Sequence, residues 1–158
     1  MGLVDSASVI TTSAPDSAPK GAAETDVRPR TRILFVDDEA QILTGLRNLF
    51  RKDRQRWDMV FALGGRRGLD AVREQRFDVV VSDMQMPEVD GAMLLTTIKE
   101  ESPSTVRIML SGFADDESLV RARPALHQLL LKPIDVATLR KAIEHSIDAF
   151  VGTPAGRD

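Results

Sequence analysis

The chain has 158 residues, 42% hydrophobic and 28% charged, the composition of one globular domain with some chain to spare. A formal charge of −3 argues against nucleic-acid recognition through a broad basic face. The absence of cysteine excludes disulfides, thiolate metal sites and thiol nucleophiles, and two histidines are too few for a His-rich metal site.

No apolar run approaches the ~18 residues of a membrane span, and Met1 to Ile10 holds Asp5 but no basic residue, unlike a signal peptide. The expectation is a cytoplasmic protein without membrane insertion or direct nucleic-acid contact. Its chemistry then has to come from carboxylates, hydroxyls and lysine. Residues 1–30 are rich in Ser, Thr, Ala and Pro and read as a disordered tail. The folded domain is expected over 31–151, with a flexible C-terminus at 152–158.

Within that domain, Arg32 to Val36 is an apolar strand that stops at Asp37-Asp38-Glu39. Ile42, Leu43, Leu46, Leu49 and Phe50 follow at helical spacing. The run Arg51 to Arg56 reads as positive charge suited to that helix's C-terminus. Met59 to Leu63 is a second strand closed by Gly64-Gly65, and Leu69 and Val72 support a short helix ending near Gln75. Phe77 to Ser82 is a third strand, β-branched and apolar throughout. Met93 to Leu95 with Ile98 gives a helix broken before Ser102-Pro103. Val106 to Leu110 is a fourth strand, ending at Ser111-Gly112. A helix from Asp115 to Arg123 is cut short by Pro124. Gln128 to Leu131 is a fifth strand, ending at Lys132-Pro133. Asp135 caps a last helix striped by Leu139, Ala142, Ile143, Ile147 and Phe150.

Continuous apolar strands alternating with amphipathic helices describe an α/β fold, a doubly wound parallel sheet of five strands flanked by five helices. In such sheets the ligand site lies beyond the carboxyl ends of the strands. Asp37, Asp38, Asp83, Ser111 and Lys132 all stand at those ends. Each has a plain alternative: helix capping for the Asp pair, a solvated loop for Asp83, turn chemistry for Ser111 and a surface position for Lys132. Together they are three carboxylates, a hydroxyl and an ammonium on one edge. Clustered carboxylates repel unless a cation sits among them, and Mg2+ takes hard oxygen ligands and bridges to phosphate. A carboxylate left reactive can attack a phosphoryl donor to form an aspartyl phosphate.

Val36-Asp37-Asp38-Glu39, Ser82-Asp83-Met84-Gln85-Met86-Pro87 with Asp90-Gly91, Leu110-Ser111-Gly112 and Leu131-Lys132-Pro133 stand in this order at strand ends. In these motifs, over Arg32 to Phe150, the chain resembles the receiver domain of two-component response regulators. The resemblance implies a flavodoxin-like sheet of order 2-1-3-4-5 and a cis Lys132-Pro133 bond. It implies that Asp83 accepts phosphate from a sensor histidine kinase or histidine phosphotransfer protein. Mg2+ would be held by Asp38, Asp83 and the Gln85 backbone carbonyl, with Asp37 acting through water. Lys132 would contact the phosphoryl group and Ser111 would move toward it. Gln85 and Phe113, beside the site, would influence hydrolysis.

Two positions depart from the family. Leu129 stands where receivers carry Phe or Tyr, and Pro124 falls on the approach to the fifth strand. Both bear on the face of helix four, strand five and helix five, through which a homodimer could form. The pair His127-Gln128 resembles receivers associated with HD-type modules, while His127 and His145 themselves read as surface or half-buried residues. With no room for an output domain after Val151, the expectation is a stand-alone switch acting on a protein target. The alternatives are a phosphorylation-independent scaffold, or a haloacid-dehalogenase-like phosphatase. The latter needs an acid two residues after the nucleophile, where this chain has Gln85.

Overall fold

The computed structural model describes residues 30–112 and 117–151. The expected tail at 1–29, the C-terminal 152–158 and Phe113 lie outside the described residues. Five strands, β1 (Thr31–Asp37), β2 (Trp57–Leu63), β3 (Val79–Asp83), β4 (Val106–Ser111) and β5 (Gln128–Leu131), form one sheet of order β2-β1-β3-β4-β5. Every pairing is parallel, with Phe35 opposite both Phe61 and Val81, and Asp83 opposite Leu110. Between the strands run α1 (Ala40–Leu49), α2 (Gly65–Glu74), α3 (Gly91–Glu101) and α4 (Glu117–Ala122), and α5 (Val136–Ser146) follows the last strand. This is the expected doubly wound, flavodoxin-like order.

Because successive strand side chains point to opposite faces, each apolar strand feeds two cores. Leu34, Val36, Val80 and Met109 pack beneath α3 and α4 against Leu94, Leu95, Ile98 and Leu119. Ile33, Phe35, Val81 and Ile108 pack on the other face against Leu43 of α1 and Leu139 and Ile143 of α5. The helices therefore cover both faces and leave the strand ends open. As expected, Asp135 caps α5 by accepting from Thr138 N at 2.7 Å, and the Lys132-Pro133 bond is cis.

Some expectations shift. β2 begins at Trp57, because that ring is buried against Phe50. Within the α1 stripe, Leu43 and Phe50 reach the core, whereas Ile42 and Leu49 stay 40% and 54% exposed. Helix α4 ends at Ala122 and Pro124 lies in a 3-10 turn, Arg123–Ala125. That turn is anchored by Arg107, a buried arginine of β4, whose guanidinium donates to the carbonyls of Ala125 (2.7 Å), Thr105 (2.9 Å) and Pro103 (3.1 Å). His127 is half-buried; its Nδ1 accepts from Arg107 N at 2.9 Å, and burial together with the Arg107 charge lowers its pKa. His145 is exposed.

The basic run also has a different role from the one expected of it. Residues Arg51–Gln55 form a 3-10 turn around a buried carboxylate, Asp53. Its Oδ1 accepts from Arg56 at 2.8 Å and its Oδ2 from Arg140 of α5 at 2.9 Å, while Arg56 also reaches Glu144 at 2.7 Å. The turn thus ties the end of α1 to α5. Burial raises the Asp53 pKa, but the two guanidiniums outweigh it, so the carboxyl lies below its ordinary 3.8. Such a depressed carboxylate contributes stability above the unfolded-state pKa and loses it as pH falls through the folded value. Asp53→Ala is expected to cost about 2 kcal/mol in urea denaturation at neutral pH. The gap from wild type should close in acid, below the ordinary carboxylate range.

Candidate functional site

The parallel arrangement places the ends of β1, β3, β4 and β5 side by side, and with them the residues singled out from sequence. Carboxylate oxygens of Asp37, Asp38 and Asp83 all lie within 4.8 Å of one another. Asp37 and Asp83 are buried and Asp38 is exposed. Lys132 crosses from the end of β5 and donates from Nζ to Asp83 Oδ1 at 2.9 Å. The Met84 N–H donates to the same oxygen at 3.0 Å. Ser111 is buried at the end of β4, and its carbonyl accepts from Lys132 N at 2.8 Å, so main chain as well as side chain holds the lysine in register.

Asp38, Asp83, Gln85, Gly112 and Lys132 line one open cavity of about 610 Å3. The plain reading of the Asp pair, helix capping, fails. The residue preceding α1 is Glu39, with no side-chain cap, and Asp37 Oδ1 instead accepts from Glu39 N at 2.9 Å at the end of its own strand.

The close approach of α3 needs a glycine. A Cβ on Gly91 would stand 2.5 Å from the Asp83 carbonyl, and the Gly91 N–H bonds Met84 O at 2.8 Å. Asp90 then caps α3, accepting from Met93 N at 2.8 Å, and its other oxygen faces Arg121 of α4 at 3.4 Å. Met84 and Met86 are buried beneath this loop, as expected of packing residues. Arg66, exposed in the first turn of α2, faces Glu88 of the loop at 3.8 Å.

Glu39 and Asp90 entered the sequence reading only as motif neighbours with no role assigned, and Ser118 not at all, yet all three line the cavity. Asp90 carried a signal in its position before Gly91. Ser118 carried none, because only the docking of α4 brings it near. Leu129, in the usual aromatic position, is partly buried against the core beneath α3 and α4.

The charges explain the site's chemistry. Burial, opposed by the Glu39 N–H, and then the negative charge of Asp83 push the Asp37 carboxyl up to about 6. Burial disfavours the Lys132 ammonium. Its hydrogen bond to Asp83 and the charges of Asp83, Asp37 and Glu39 reverse that, so its pKa is raised and it stays protonated. Three hard oxygen donors with one ammonium among them leave uncompensated negative charge, which suits a divalent cation such as Mg2+. The residues present therefore fit that ion.

A second cavity, apolar and of about 620 Å3, opens between α1 and α5, beside Lys132. Ile42, Leu46, Leu49, Pro133 and Ile134 line it, which accounts for the aliphatic side chains α1 leaves exposed.

Residues 33–144 match the family described as response regulator receiver domain. Among curated proteins, the chain is 35% identical over 128 residues to the transcriptional regulatory protein ZraR of Escherichia coli (strain K12), covering 78% of this chain and 29% of ZraR. It thus spans under a third of that relative's length. Among solved structures it is similar to a signal receiver domain of an HD domain-containing protein from Pseudomonas fluorescens Pf-5. That match has a TM-score of 0.71 and 29% identity, and covers 80% of this chain and 93% of the other. A response regulator receiver domain protein from Clostridium thermocellum gives a TM-score of 0.67 at 30% identity, covering 75% and 95%. Among the described residues no helix is long and apolar enough to cross a membrane.

The raised Asp37 pKa has a measurable sign. A carboxyl with a folded pKa of about 6, against 3.8 unfolded, adds stability at low pH that is lost as pH rises through 6. In chelator, Asp37→Asn should melt above wild type at about pH 7.5, and the difference should shrink as pH falls below about 6 and vanish by about pH 3, below the unfolded-state pKa.

Proposed function

The chain belongs to the family of response regulator receiver domains, and from that membership we propose that Asp83 is the acceptor of a phosphoryl group from a histidine kinase or histidine phosphotransfer protein. One observation carries this reading. Lys132 Nζ and Met84 N both donate to Oδ1 of Asp83, which fixes that oxygen and makes Oδ2 the one proposed to attack. In the proposed step Oδ2 bonds to phosphorus as the phosphorus–nitrogen bond of the phosphohistidine breaks, and the electron pair leaves with the imidazole. Lys132 holds the carboxylate in place and supplies positive charge beside the transferred group. Ser111 donates its hydroxyl to a phosphoryl oxygen. Receiver domains bind Mg2+ at an acidic pocket; here Asp38, Asp83, the Gln85 carbonyl and, through water, Asp37 would hold it, and the ion would neutralise charge on the phosphoryl oxygens.

The apolar cavity between α1 and α5 supports the partner assignment. It lies beside Lys132, and its exposed Ile42 and Leu49 would receive an amphipathic helix of the phosphodonor. The same proposal places the chain in the cytoplasm and makes it a switch of protein contacts, able to act alone on a protein target. Val120 of α4, Leu131 of β5 and Phe150 beyond α5 are exposed and would supply the contact of a homodimer through that face.

A phosphatase of the haloacid dehalogenase type is disfavoured by Gln85, which lines the cavity but cannot transfer a proton at useful pH. A scaffold indifferent to phosphorylation is disfavoured by the close set of acids with Lys132 among them.

Intact-protein mass after incubation with a small phosphodonor tests the proposal. One phosphoryl adduct is expected in wild type with Mg2+, and none without the ion or in Asp83→Asn. An adduct that persists in Asp83→Asn would refute the assignment of the acceptor.

A further inference from the structure

We propose that the outer edge of β2 is a docking site for an extended acidic segment of a partner protein, which adds to the sheet as a sixth strand. β2 is the terminal strand on its side, so one of its edges is unpaired. The Gly64 N–H bonds Asp37 O across to β1 at 2.8 Å, and main-chain groups along a parallel pair alternate in direction. Asp58, Val60 and Ala62 therefore bond toward β1, and the N–H and C=O groups of Met59 and Phe61 face outward.

Beside this edge lies a groove of about 620 Å3 whose lining includes Arg30, Arg47, Arg54, Met59, Val60 and Phe61. None of its three arginines has a carboxylate partner among the described residues. Arg30 donates to the Arg54 carbonyl at 2.7 Å, and Arg47 lies over the Phe61 ring at 4.7 Å. The groove's own carboxylate, Asp58, is engaged by Arg32 at 3.3 Å. On a chain of net charge −3, three unpaired guanidiniums along one open strand form a local basic rim.

Charged side chains on an open edge also guard against self-association, and here the two roles coincide. A second copy presenting its own β2 would set arginine against arginine. A strand bearing carboxylates would gain main-chain hydrogen bonds at Met59 and Phe61 and charge-assisted bonds at the rim.

The test uses the full chain, amide-resolved NMR and a synthetic peptide of alternating valine and glutamate, beside the same peptide with lysine for glutamate. The glutamate peptide is expected to bind and to slow hydrogen exchange at the Met59 and Phe61 amides. The lysine peptide should not bind. Arg47→Glu combined with Arg54→Glu should weaken binding at least about tenfold while the remaining amide spectrum keeps its folded dispersion. Equal binding of the lysine peptide would overturn the proposal, as would unchanged affinity in the double variant. Binding without protection at Met59 and Phe61, or tighter binding of a single-stranded oligonucleotide at this edge, would do the same.

Discussion

Three carboxylates share one edge of the sheet with a single ammonium, and the behaviour of the site follows from that imbalance. At an effective dielectric near 20, two unit charges about 4 Å apart interact by about 4 kcal/mol. Asp37, Asp38 and Asp83 lie within 4.8 Å of one another, so their mutual repulsion is of this order and Lys132 can offset only part of it. Burial first, and then the Asp83 charge, show in the titration of Asp37. The most enclosed acid, Asp37, holds its proton up to about 6, and Lys132 is driven toward permanent charge. A cation is the ordinary relief for such crowding.

The rest of the fold keeps those charges together. They come from the ends of three parallel strands, Asp37 and Asp38 from β1, Asp83 from β3 and Lys132 from β5, and the strands are fixed in register by side chains buried on both faces. Gly91 lets α3 begin against the Asp83 carbonyl, and Asp90 divides its oxygens between capping α3 and facing Arg121. Helix α4 is thus tied to the rim of the acidic cavity at one end, while Arg107 anchors the turn that follows it. Leu129, packed beneath α3 and α4, leaves no aromatic ring to swing at that position.

Much of this was legible in the sequence because it is local or repetitive. Val79-Val80-Val81, β-branched throughout, reads as a strand buried on both faces, and polar residues that end such strands meet on one edge if the strands are parallel. That reasoning located Asp37, Asp38, Asp83, Ser111 and Lys132 without coordinates. What escaped it depends on partners far along the chain. Asp53 looked like one acid in a basic run, and beside the neighbouring Arg56 its burial rests on Arg140, 87 residues away. Arg107 looked like an interruption in a strand, and its role rests on carbonyls that the α3 and α4 turns bring to it. The exposure of Ile42 and Leu49 was hidden for another reason. Helical periodicity records which residues share a face, not how much of that face the core covers.

Lys132 is the built-in counter-ion of the acidic cluster, and Mg2+ titration calorimetry on wild type and Lys132→Ala tests that most directly. If the ammonium occupies Asp83 and competes with the cation, Lys132→Ala binds Mg2+ more tightly than wild type, and Lys132→Arg stays close to wild type. Equal or weaker Mg2+ binding in Lys132→Ala, with the fold intact, would contradict the charge balance on which the site has been explained.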